Sequence, residues 1–386
     1  MLTKKKKVGV LAFVDKYDGG VYQYTQSIID ALKNDNEKEY IIFCNYDDTR
    51  FDSCPFEVRQ VKRFKNSYLI KLIRVFQLLF FIRKPYFFTQ RELNIFNDIE
   101  LFMSPCISSY PHFFMKIPFV FTLHDMQEKY LPQFFSIQER VHRWINNRAL
   151  CRFSEKIICE SSYVKNDIVK FIGVDENKVK IIQSPPAAEF LDFKFDNLKF
   201  DLIRKKYELP QKYIFYPAQC WFHKNHINLI SAFYKVSNNY DNIYLVLTGS
   251  KQNNYEFLTD KINHLNLNDK VKHMGYIEYE DLPYFYKMSQ MLVMPTLFES
   301  VSIPIYEAFS LEVPVCSSNV VALPEQVGEG GILFDPNNID DMAKKIMIYL
   351  DNNDFASKKA KIGLNSIKSF NYMKYQRTLL DVINAN

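Results

Sequence analysis

The sequence predicts an α/β fold made of two doubly wound, Rossmann-like domains that face each other across a cleft. Short apolar runs alternate with segments of helical spacing through most of the 386 residues, which is typical of parallel sheets. With 47% hydrophobic residues, the chain holds more apolar side chains than one core usually takes, so we expect two domains. The run Ser184-Pro185-Pro186-Ala187 interrupts the alternation and is the expected hinge.

The first predicted domain covers residues 1–185. Its expected strands are short apolar runs, at Val8–Val14, Tyr40–Cys44, Phe119–Leu123 and Lys156–Cys159. Helical spacing follows the Gly19-Gly20 turn at Val21–Leu32 and follows the last strand at Val164–Phe171. Because strands and helices alternate, the strands are predicted to be parallel.

The second predicted domain covers residues 186–370 and repeats this architecture. Its expected strands are Tyr213–Tyr216, Ile243–Leu247, Val271–Met274, Met291–Met294, Val313–Cys316 and Ile332–Phe334. Its expected helices are His226–Val236, Glu280–Met288, Pro304–Phe309 and 340–350, and a last helix spans 371–383. In open α/β sheets, ligands bind in the loops at the carboxyl ends of the strands, so those loops are the first places to look for a site.

Composition excludes several classes of protein. No apolar run reaches the ~18 residues of a membrane-spanning helix. The seven cysteines are scattered and include no C-x-x-C pair, which argues against a disulfide framework or structural zinc and for the reducing cytosol. The net charge of +5 arises in the first half of the chain, and no nucleic-acid-binding motif accompanies it. We therefore expect a cytoplasmic protein that does not bind nucleic acid.

A basic segment at residues 58–84 contains eight Lys and Arg residues and no acid. On a helix, Lys71, Arg74 and Gln77 share one stripe, and the other positions are largely apolar. Such a helix could lie peripherally on the anionic inner face of the cytoplasmic membrane, with Lys71 and Arg74 at the lipid headgroups. The alternative is an ordinary helix of the first domain, with its apolar side packed inward and its basic side in water.

The most informative stretch runs from Phe298 to Phe309 and holds Glu299 and Glu307, with seven residues between them. Glu299 falls in a loop after a predicted strand, and Pro304 suits the first turn of a helix, so Glu307 lies about one turn into it. The backbone N–H groups at this helix start are expected to point into the cleft, where they could bind a diphosphate. They belong to Ser300, Val301, Ser302 and Ile303. The alternative is a surface helix with two solvated glutamates.

The junction from Tyr216 to His226 joins a predicted strand to a helix. It places Lys224 beside the helix start, where its charge could neutralise phosphate. His223 and His226 form a His-x-x-His pair, which without further ligands is a weak sign of a metal site.

The stretch from Phe121 to Asp125 delivers His124 and Asp125 to the carboxyl end of another predicted strand. A histidine there could donate a hydrogen bond to a substrate, and the neighbouring aspartate could orient it, so both are candidate catalytic residues. The alternative is a histidine whose hydrogen bonds are satisfied within its own loop.

Together these stretches resemble the retaining family-4 glycosyltransferases, which have the GT-B fold. The resemblance begins at the Gly19-Gly20 turn and covers nearly the whole chain. The Glu299-x7-Glu307 spacing matches the two-glutamate motif of the family. The other matching segments are 124–132, 217–226, 322–325 and 333–336. Two of them, 124–132 and 217–226, look like the bacterial enzymes of surface polysaccharide and lipopolysaccharide synthesis.

The resemblance implies a role for each motif. Glu307 would hold the ribose hydroxyls of a nucleotide sugar, Glu299 the donor sugar, and Lys224 the diphosphate leaving group. His124 would lie near the reacting sugar carbon. Gly19 and Gly20 would lie near the phosphates or the acceptor, and Gln219 would stand where the family often has an arginine. The backbone of Ser300–Ile303 would also bind the donor, and the backbone at Tyr276 would lie near the base. The last helix, residues 371–386, would cross back onto the first domain.

We therefore expect a retaining glycosyltransferase that moves a hexose, with mannose favoured, from a nucleotide-diphosphate sugar to a glycan or lipid-linked acceptor in surface polysaccharide synthesis. GDP-mannose is the favoured donor, and a UDP- or dTDP-sugar is the other choice. No cofactor or metal is expected, since the chain has no Asp-x-Asp triplet to hold a divalent ion. The alternatives are a GT-B-fold epimerase or phosphorylase, and a non-catalytic partner of another glycosyltransferase that binds a nucleotide sugar or a membrane.

Overall fold

The computed structural model of the chain describes residues 5–14, 19–45, 48, 51, 54–61, 68–114, 116–186, 188–368 and 372–385. The chain divides into two units, which we call unit 1 (Met1–Ser184 and Asn371–Asn386) and unit 2 (Pro185–Phe370). Each unit is built around its own parallel sheet. Among the described residues, no helix combines the length and the apolar character that a membrane span requires.

In the described part of unit 1, seven parallel strands form one sheet in the order β3-β2-β1-β4-β5-β6-β7. The strands are β1 (Lys6–Leu11), β2 (Lys38–Asn45), β3 (Glu57–Val61), β4 (Leu101–Ser104), β5 (Phe119–Thr122), β6 (Lys156–Cys159) and β7 (Val179–Ile181). The order reverses beside β1, which is the mark of a doubly wound sheet. Every residue of β4 and β5 is buried, as expected for parallel strands that helices cover on both faces.

The helices that cover this sheet are α1 (Gly20–Leu32), α2 (Tyr68–Leu79), α3 (Gln90–Asn94), α4 (Tyr110–Phe113), α5 (Ile137–Phe153) and α6 (Ser162–Ile172), with short 3-10 turns at Gln127–Lys129, Pro132–Phe134 and Glu176–Lys178. Side chains cap the starts of α3, α5 and α6. Ser136 and Glu139 form a capping box at the start of α5, and the Ser161 hydroxyl accepts from the Val164 N–H at the start of α6.

Unit 2 has a sheet of six parallel strands in the order β10-β9-β8-β11-β12-β13. The strands are β8 (Tyr213–Pro217), β9 (Tyr244–Thr248), β10 (Val271–His273), β11 (Met291–Met294), β12 (Val315–Ser318) and β13 (Gly331–Phe334). The helices are α7 (Ala188–Leu191), α8 (Asn197–Lys206), α9 (His226–Ser237), α10 (Tyr255–His264), α11 (Leu282–Met288), α12 (Ile303–Ser310), α13 (Leu323–Val327), α14 (Ile339–Asp351) and α15 (Asn353–Ile367), with 3-10 turns at Phe222–Lys224 and Gly328–Gly330. This strand order is that of a dinucleotide-binding Rossmann sheet.

The last helix, α16 (Tyr372–Asn384), belongs to unit 1 and packs against α1. Leu379 and Ile383 are buried in the core that this helix shares with β1. The buried Tyr375 hydroxyl hydrogen-bonds with the hydroxyls of Ser27 at 3.1 Å and Ser184 at 3.3 Å. Helix α16 is therefore hydrogen-bonded to Ser184, the residue at which the chain leaves unit 1 for unit 2.

The predicted fold class is confirmed, because both units are doubly wound parallel α/β structures. Each predicted strand occurs, with ends that differ by a few residues. Three strands were not predicted: β3, β4 and β7. β3 and β7 lie at the two edges of their sheet and carry charged residues such as Arg59 and Lys180, so neither forms the apolar run that marks a buried strand.

Helix α2 corrects the predicted orientation of the basic segment. Part of its polar stripe faces inward beside the buried Leu78: the buried Gln77 amide donates to the Lys84 carbonyl at 2.7 Å, and the half-buried Arg74 donates to the Ser109 hydroxyl at 3.1 Å. Lys71 is exposed. The outward side also exposes Tyr68, Leu69, Leu72 and Phe76, and Phe80 follows the helix. The prediction that Arg74 lies at lipid headgroups is therefore wrong, and so is the alternative in which the whole basic side is solvated. The basic residues Lys62, Arg63 and Lys65 lie outside the described residues.

The packing of α15 against α12 depends on the absence of a side chain at Gly363. A Cβ atom at Gly363 would lie 2.3 Å from Cδ1 of Phe309, which is fully buried. Gly330 approaches the same place, since its Cβ would lie 2.6 Å from the Gly363 Cα. Neither neighbour can move without opening the core of unit 2.

We expect Gly363→Ala to destabilise unit 2 by about 1–3 kcal/mol through overpacking against Phe309. Alanine in a helix interior is normally more stable than glycine by about 1 kcal/mol, so the sign of the effect is diagnostic. Thermal unfolding followed by circular dichroism provides the measurement, with Ser357→Ala on the exposed side of α15 as the control. A higher unfolding temperature for Gly363→Ala would contradict the close contact.

Candidate functional site

The candidate site of unit 2 lies where its strand order reverses. β8 pairs with β9 on one side and with β11 on the other, so the loops that follow β8 and β11 leave the sheet as neighbours at its carboxyl edge. Such a reversal point is where open α/β sheets bind ligands. The first loop ends in the turn that carries Lys224, and the second carries Glu299.

Lys224 and Glu299 form an ion pair across these loops. Lys224 Nζ donates to Glu299 Oε2 at 2.5 Å, and the two side chains are only 19% and 18% exposed. The structure thus brings together two of the predicted site residues. Glu299 is therefore not the solvated surface glutamate of the alternative interpretation.

Backbone and amide hydrogen bonds fix the two loops around this pair. The His223 carbonyl accepts from the Leu297 N–H at 2.7 Å and from the Thr296 hydroxyl at 3.1 Å. The buried Asn225 amide donates to the carbonyls of Pro295 and Pro336, each at 2.9 Å. Because these groups are satisfied within the protein, the two loops are held in this geometry.

The start of α12 corrects one of the predicted donor-binding groups. The Ser302 N–H donates to Gln326 Oε1 at 2.8 Å, and Gln326 Nε2 donates to the Ser302 carbonyl at 2.5 Å. The prediction that the Ser302 N–H is available for phosphate is therefore wrong. The N–H groups of Ser300, Val301 and Ile303 have no acceptor among the residues that the structure describes. Sequence reasoning missed Gln326, which no motif marks.

Glu307 lies one turn into α12 and is buried, with 2% of its surface exposed. Its Oε2 accepts from the Tyr286 hydroxyl at 2.6 Å, while its Oε1 has no hydrogen-bond partner in the described part of the chain. Burial raises the pKa of Glu307 to about 7, and the hydrogen bond from Tyr286 offsets only part of this shift. The alternative of a solvated glutamate is wrong for Glu307 as well.

The other predicted site residues of unit 2 are Gln219, which follows β8, and Tyr276, which follows β10. The Gln219 side chain accepts from the Trp221 indole N–H at 2.8 Å. Gly249 has a φ of 116°, and a Cβ there would lie 2.6 Å from the Ala218 carbonyl oxygen, so only glycine fits. The Gly249 N–H donates to the Gly275 carbonyl at 2.7 Å, which links the turn after β9 to the turn before the exposed Tyr276.

The His-x-x-His pair does not have the geometry of a metal site. His226 is fully buried, its ring lies 4.8 Å from the Tyr216 ring, and burial lowers its pKa to about 3. Within the described ranges, no group of three or more His, Cys, Asp or Glu residues is arranged to hold a metal ion. None of the seven cysteines, all of which are described, forms a disulfide bond.

In unit 1, both ring nitrogens of His124 contact protein groups. Nδ1 lies 3.0 Å from Glu160 Oε2 and Nε2 lies 2.9 Å from the Pro105 carbonyl oxygen. The Tyr24 ring meets the imidazole edge-on at 4.8 Å. Burial lowers the pKa of His124, but the hydrogen bond and charge of Glu160 outweigh it, so the pKa lies above its usual value. Both nitrogens can then donate, as in a cationic imidazolium.

Glu160, and not Asp125, is the carboxylate that contacts His124. Asp125 forms an ion pair with Arg143 and accepts from the Gln127 N–H at 2.9 Å. Arg143 also donates to the buried Glu128 at 2.8 Å. Sequence reasoning missed Glu160, although a signal exists: it directly follows β6, which neighbours the strand that delivers His124. Whether Asp125 is catalytic stays a prediction.

The Gly19-Gly20 turn lies at the start of α1. Gly19 has a φ of 60° and precedes the helix, Gly20 is its first residue, and the Gly19 carbonyl accepts from the Gln23 N–H at 3.2 Å. Residues 15–18, which connect β1 to this turn, lie outside the described residues. The role of this turn in donor or acceptor binding stays a prediction.

Two family models match the chain, one for each unit. Residues 18–185 match Glycosyltransferase Family 4, and residues 199–369 match Glycosyl transferases group 1. The chain is a glycosyltransferase. Together the two matches leave only short segments of the glycosyltransferase unmatched, and they support the resemblance inferred from its motifs.

Curated relatives of this glycosyltransferase include two bacterial enzymes. O-antigen chain mannosyltransferase B of Escherichia coli is 24% identical over 66% of this chain and 66% of its own length, a little under two thirds. O-antigen chain mannosyltransferase RfbU of Salmonella typhimurium is 23% identical over 92% of this chain and 97% of its own length.

Solved structures show the same fold. HepE of Anabaena, solved in complex with UDP-glucose, has a TM-score of 0.76 and 16% identity over 98% of this chain and 100% of its own. WaaG, a glycosyltransferase involved in lipopolysaccharide biosynthesis, has a TM-score of 0.75 and 13% identity over 98% of this chain and 100% of its own. The fold of this glycosyltransferase is therefore GT-B.

We expect Glu307→Gln to flatten the pH dependence of stability between about pH 4.5 and 7. The folded chain raises the pKa of Glu307 from 4.5 to about 7, so between these values the folded state keeps a proton that the unfolded state has lost. The stabilisation is complete below pH 4.5 and disappears as the pH rises through 7, a loss of roughly 3 kcal/mol.

Urea unfolding of wild type and variant across this pH range is the measurement. Glu280→Gln, at an exposed position of unit 2, is the control and should keep the wild-type profile. Parallel profiles for wild type and Glu307→Gln would contradict the burial of this carboxyl group.

Proposed function

We propose that this glycosyltransferase moves a mannosyl residue from GDP-mannose to a glycan or lipid-linked acceptor during synthesis of a surface polysaccharide, with retention of the anomeric configuration. The observation that carries the donor half of the proposal is the Lys224–Glu299 pair beside the start of α12. The mannosyl residue and the polysaccharide are supported by the relatives, which are named O-antigen mannosyltransferases. A UDP-sugar is the competing donor, because HepE is similar and was solved with UDP-glucose.

The leaving group determines what the donor site must supply. Glycosyl transfer releases a nucleoside diphosphate, whose negative charge grows as the bond to the sugar breaks. Lys224 offers a positive charge, and the N–H groups of Ser300, Val301 and Ile303 offer hydrogen bonds at a helix start.

The carboxylate of Glu299 neutralises the charge of Lys224 in the ion pair. In the proposal, the diphosphate replaces Glu299 as the partner of Lys224, and the released carboxylate accepts hydrogen bonds from hydroxyls of the donor sugar. This scheme uses neither a metal ion nor a cofactor.

Glu307 is proposed to hold the ribose of the donor. Its Oε1 is buried without a hydrogen-bond partner among the described residues, and a ribose hydroxyl would supply the hydrogen that this oxygen lacks. Tyr286 fixes the other oxygen at 2.6 Å. The base is proposed to lie against the backbone at Tyr276, and Gln219 is proposed as a further donor-binding side chain.

His124 is proposed as the group of unit 1 that contacts the substrate sugar. The carboxylate of Glu160 favours its cationic form, which would stabilise negative charge on a phosphate or a hydroxyl that loses its proton. Asp125 is proposed to act through Arg143 by holding the loop after β5, and the Gly19-Gly20 turn is proposed to lie near the phosphates or the acceptor.

We predict that GDP binds more tightly than UDP, dTDP, CDP or ADP, and that Lys224→Ala weakens GDP binding by about ten- to a hundredfold. The reason is the loss of one charge-assisted hydrogen bond to phosphate. Glu307→Ala should also weaken GDP binding, whereas Glu299→Ala should mainly lower turnover. Titration calorimetry measures binding, and release of GDP from GDP-mannose with EDTA present measures turnover.

Lys235→Ala is the matched control, because Lys235 is an exposed lysine of unit 2 on α9. It should change neither binding nor turnover. Full activity of both Glu299→Ala and Glu307→Ala would contradict the proposed site. Binding of a nucleotide sugar without turnover on any acceptor would favour the non-catalytic partner. The anomeric configuration of the product, read from its NMR coupling constants, tests retention.

A specific observation favours contact between unit 1 and a membrane. Helix α2, which exposes apolar side chains, packs against α5, which exposes Ile137, Val141 and Trp144. Arg148 lies over the rings of Trp144 at 5.0 Å and Phe81 at 5.4 Å. We call the exposed residues of these two helices the α2–α5 surface. Aromatic and aliphatic side chains beside Lys and Arg are typical of proteins that lie on anionic membranes, so we propose that this surface brings the enzyme to a lipid-linked acceptor on the inner face of the cytoplasmic membrane.

We expect Leu72→Ser with Phe76→Ser to weaken binding to vesicles that contain anionic lipid by about tenfold or more, because two apolar side chains no longer enter the membrane interface. Lys71→Glu should weaken binding less, and its effect should vanish at high salt. Vesicle co-sedimentation is the measurement.

Leu198→Ser with Leu202→Ser is the control for this test. These two exposed leucines have the same spacing on α8 of unit 2 and should leave vesicle binding unchanged. Equal vesicle binding by wild type and the Leu72, Phe76 variant would contradict the proposed surface.

A further inference from the structure

The Gln326 side chain hydrogen-bonds with both the backbone N–H and the backbone carbonyl of Ser302 in the candidate donor site. From α13, its carboxamide accepts from the Ser302 N–H at 2.8 Å and donates to the Ser302 carbonyl at 2.5 Å. The same segment also reaches the preceding loop, since the Ala322 N–H lies 3.4 Å from the Glu299 carbonyl oxygen. The segment after β12 therefore supports the loop that carries Glu299 and the start of α12.

These two hydrogen bonds also determine the direction in which the Ile303 N–H points. In a planar trans peptide, the carbonyl of one residue and the N–H of the next point in opposite directions. The described chain contains no cis peptide bonds. Because the Ser302 carbonyl points at Gln326, the Ile303 N–H must point away from Gln326, and this N–H has no acceptor among the described residues.

The Ser302 side chain does not duplicate this restraint. Ser302 is 1% exposed, and its hydroxyl oxygen has no hydrogen-bond partner among the residues described. Residue 302 is thus oriented through its backbone, by the Gln326 amide and by the first hydrogen bond of α12, from the Ile305 N–H to the Ser302 carbonyl at 3.2 Å.

We propose that Gln326 is a positioning residue for donor binding, which aims the Ile303 N–H at the diphosphate of the nucleotide sugar. The proposal rests on the proposed function, since it needs a diphosphate at the start of α12. A carboxamide is suited to this task because it offers one donor and one acceptor on the same planar group. An ionised carboxylate at this position would face the Ser302 carbonyl with a second acceptor and would lose one of the two bonds.

The first test is Gln326→Met, which keeps a side chain of similar size without the two polar atoms. Titration calorimetry with GDP and UDP, using whichever binds the wild type more tightly, should show about tenfold weaker binding, equivalent to about 1.4 kcal/mol. Affinity for the corresponding nucleoside should not change, because the nucleoside has no diphosphate. The control is Glu329→Gln, an exposed residue close along the chain, which should bind both ligands as the wild type does.

The second test is Gln326→Glu, whose diphosphate affinity should depend on pH. When protonated, the new carboxyl group can both donate to the Ser302 carbonyl and accept from its N–H, so it replaces the amide. When ionised, it repels that carbonyl. The diphosphate affinity of Gln326→Glu should therefore approach the wild-type value as the pH falls from about 8 to about 5.5, a range in which a carboxyl group whose pKa is raised by burial takes up its proton. The ratio of wild-type to Gln326→Met affinity should stay constant over this range.

The outcomes separate this inference from the function on which it rests. If the wild type binds neither GDP nor UDP, the proposed donor site fails and this inference fails with it. If the wild type binds one of them and Gln326→Met binds it equally well, only the role of Gln326 is overturned. Equal losses for the diphosphate and the nucleoside in Gln326→Met would also overturn it, because they indicate general damage to the fold.

Discussion

The reversal of strand order between β8 and β11 is the constraint on which the candidate donor site depends. Strands β9 and β10 lie on one side of β8, and β11 to β13 lie on the other. The loops that follow β8 and β11 therefore leave the carboxyl edge of the sheet side by side. Lys224 and Glu299 meet because each sits on one of those loops, although 75 residues separate them in sequence. The helix start at Ile303 then adds N–H groups to the same edge.

The charges of Lys224 and Glu299 balance each other at this edge of the sheet. The half-buried Lys224–Glu299 pair leaves neither charge exposed, so a diphosphate can exchange one anionic partner of Lys224 for another. Glu307 differs from Glu299, because burial raises its pKa and the hydrogen bond from the Tyr286 hydroxyl offsets only part of that rise. The two glutamates of one motif thus have different surroundings: Glu299 pairs with a lysine, whereas Glu307 is buried beside a tyrosine hydroxyl.

Sequence patterns predict most of the fold and the charged residues of the candidate site, but they do not predict the residues that hydrogen-bond to that site and hold it in place. Central strands such as Lys156–Cys159 are continuous apolar runs and were predicted at their observed bounds, whereas the edge strands β3 and β7 lack such runs. Gln326 and Glu160 act through hydrogen bonds to residues distant in sequence, which no local spacing encodes. The direction of α2 was mispredicted because periodicity identifies two sides of a helix but not which one faces the core; the contacts of Gln77 and Arg74 decide that.

The most direct test of this account is a crystal structure of the protein with the nucleoside diphosphate that it binds most tightly. We predict that the diphosphate lies at the start of α12, within hydrogen-bond distance of the Ile303 N–H and Lys224 Nζ, and that a ribose hydroxyl contacts Glu307 Oε1. Lys224 should then have left Glu299. A diphosphate bound elsewhere in unit 2, with the Lys224–Glu299 pair intact, would contradict the account.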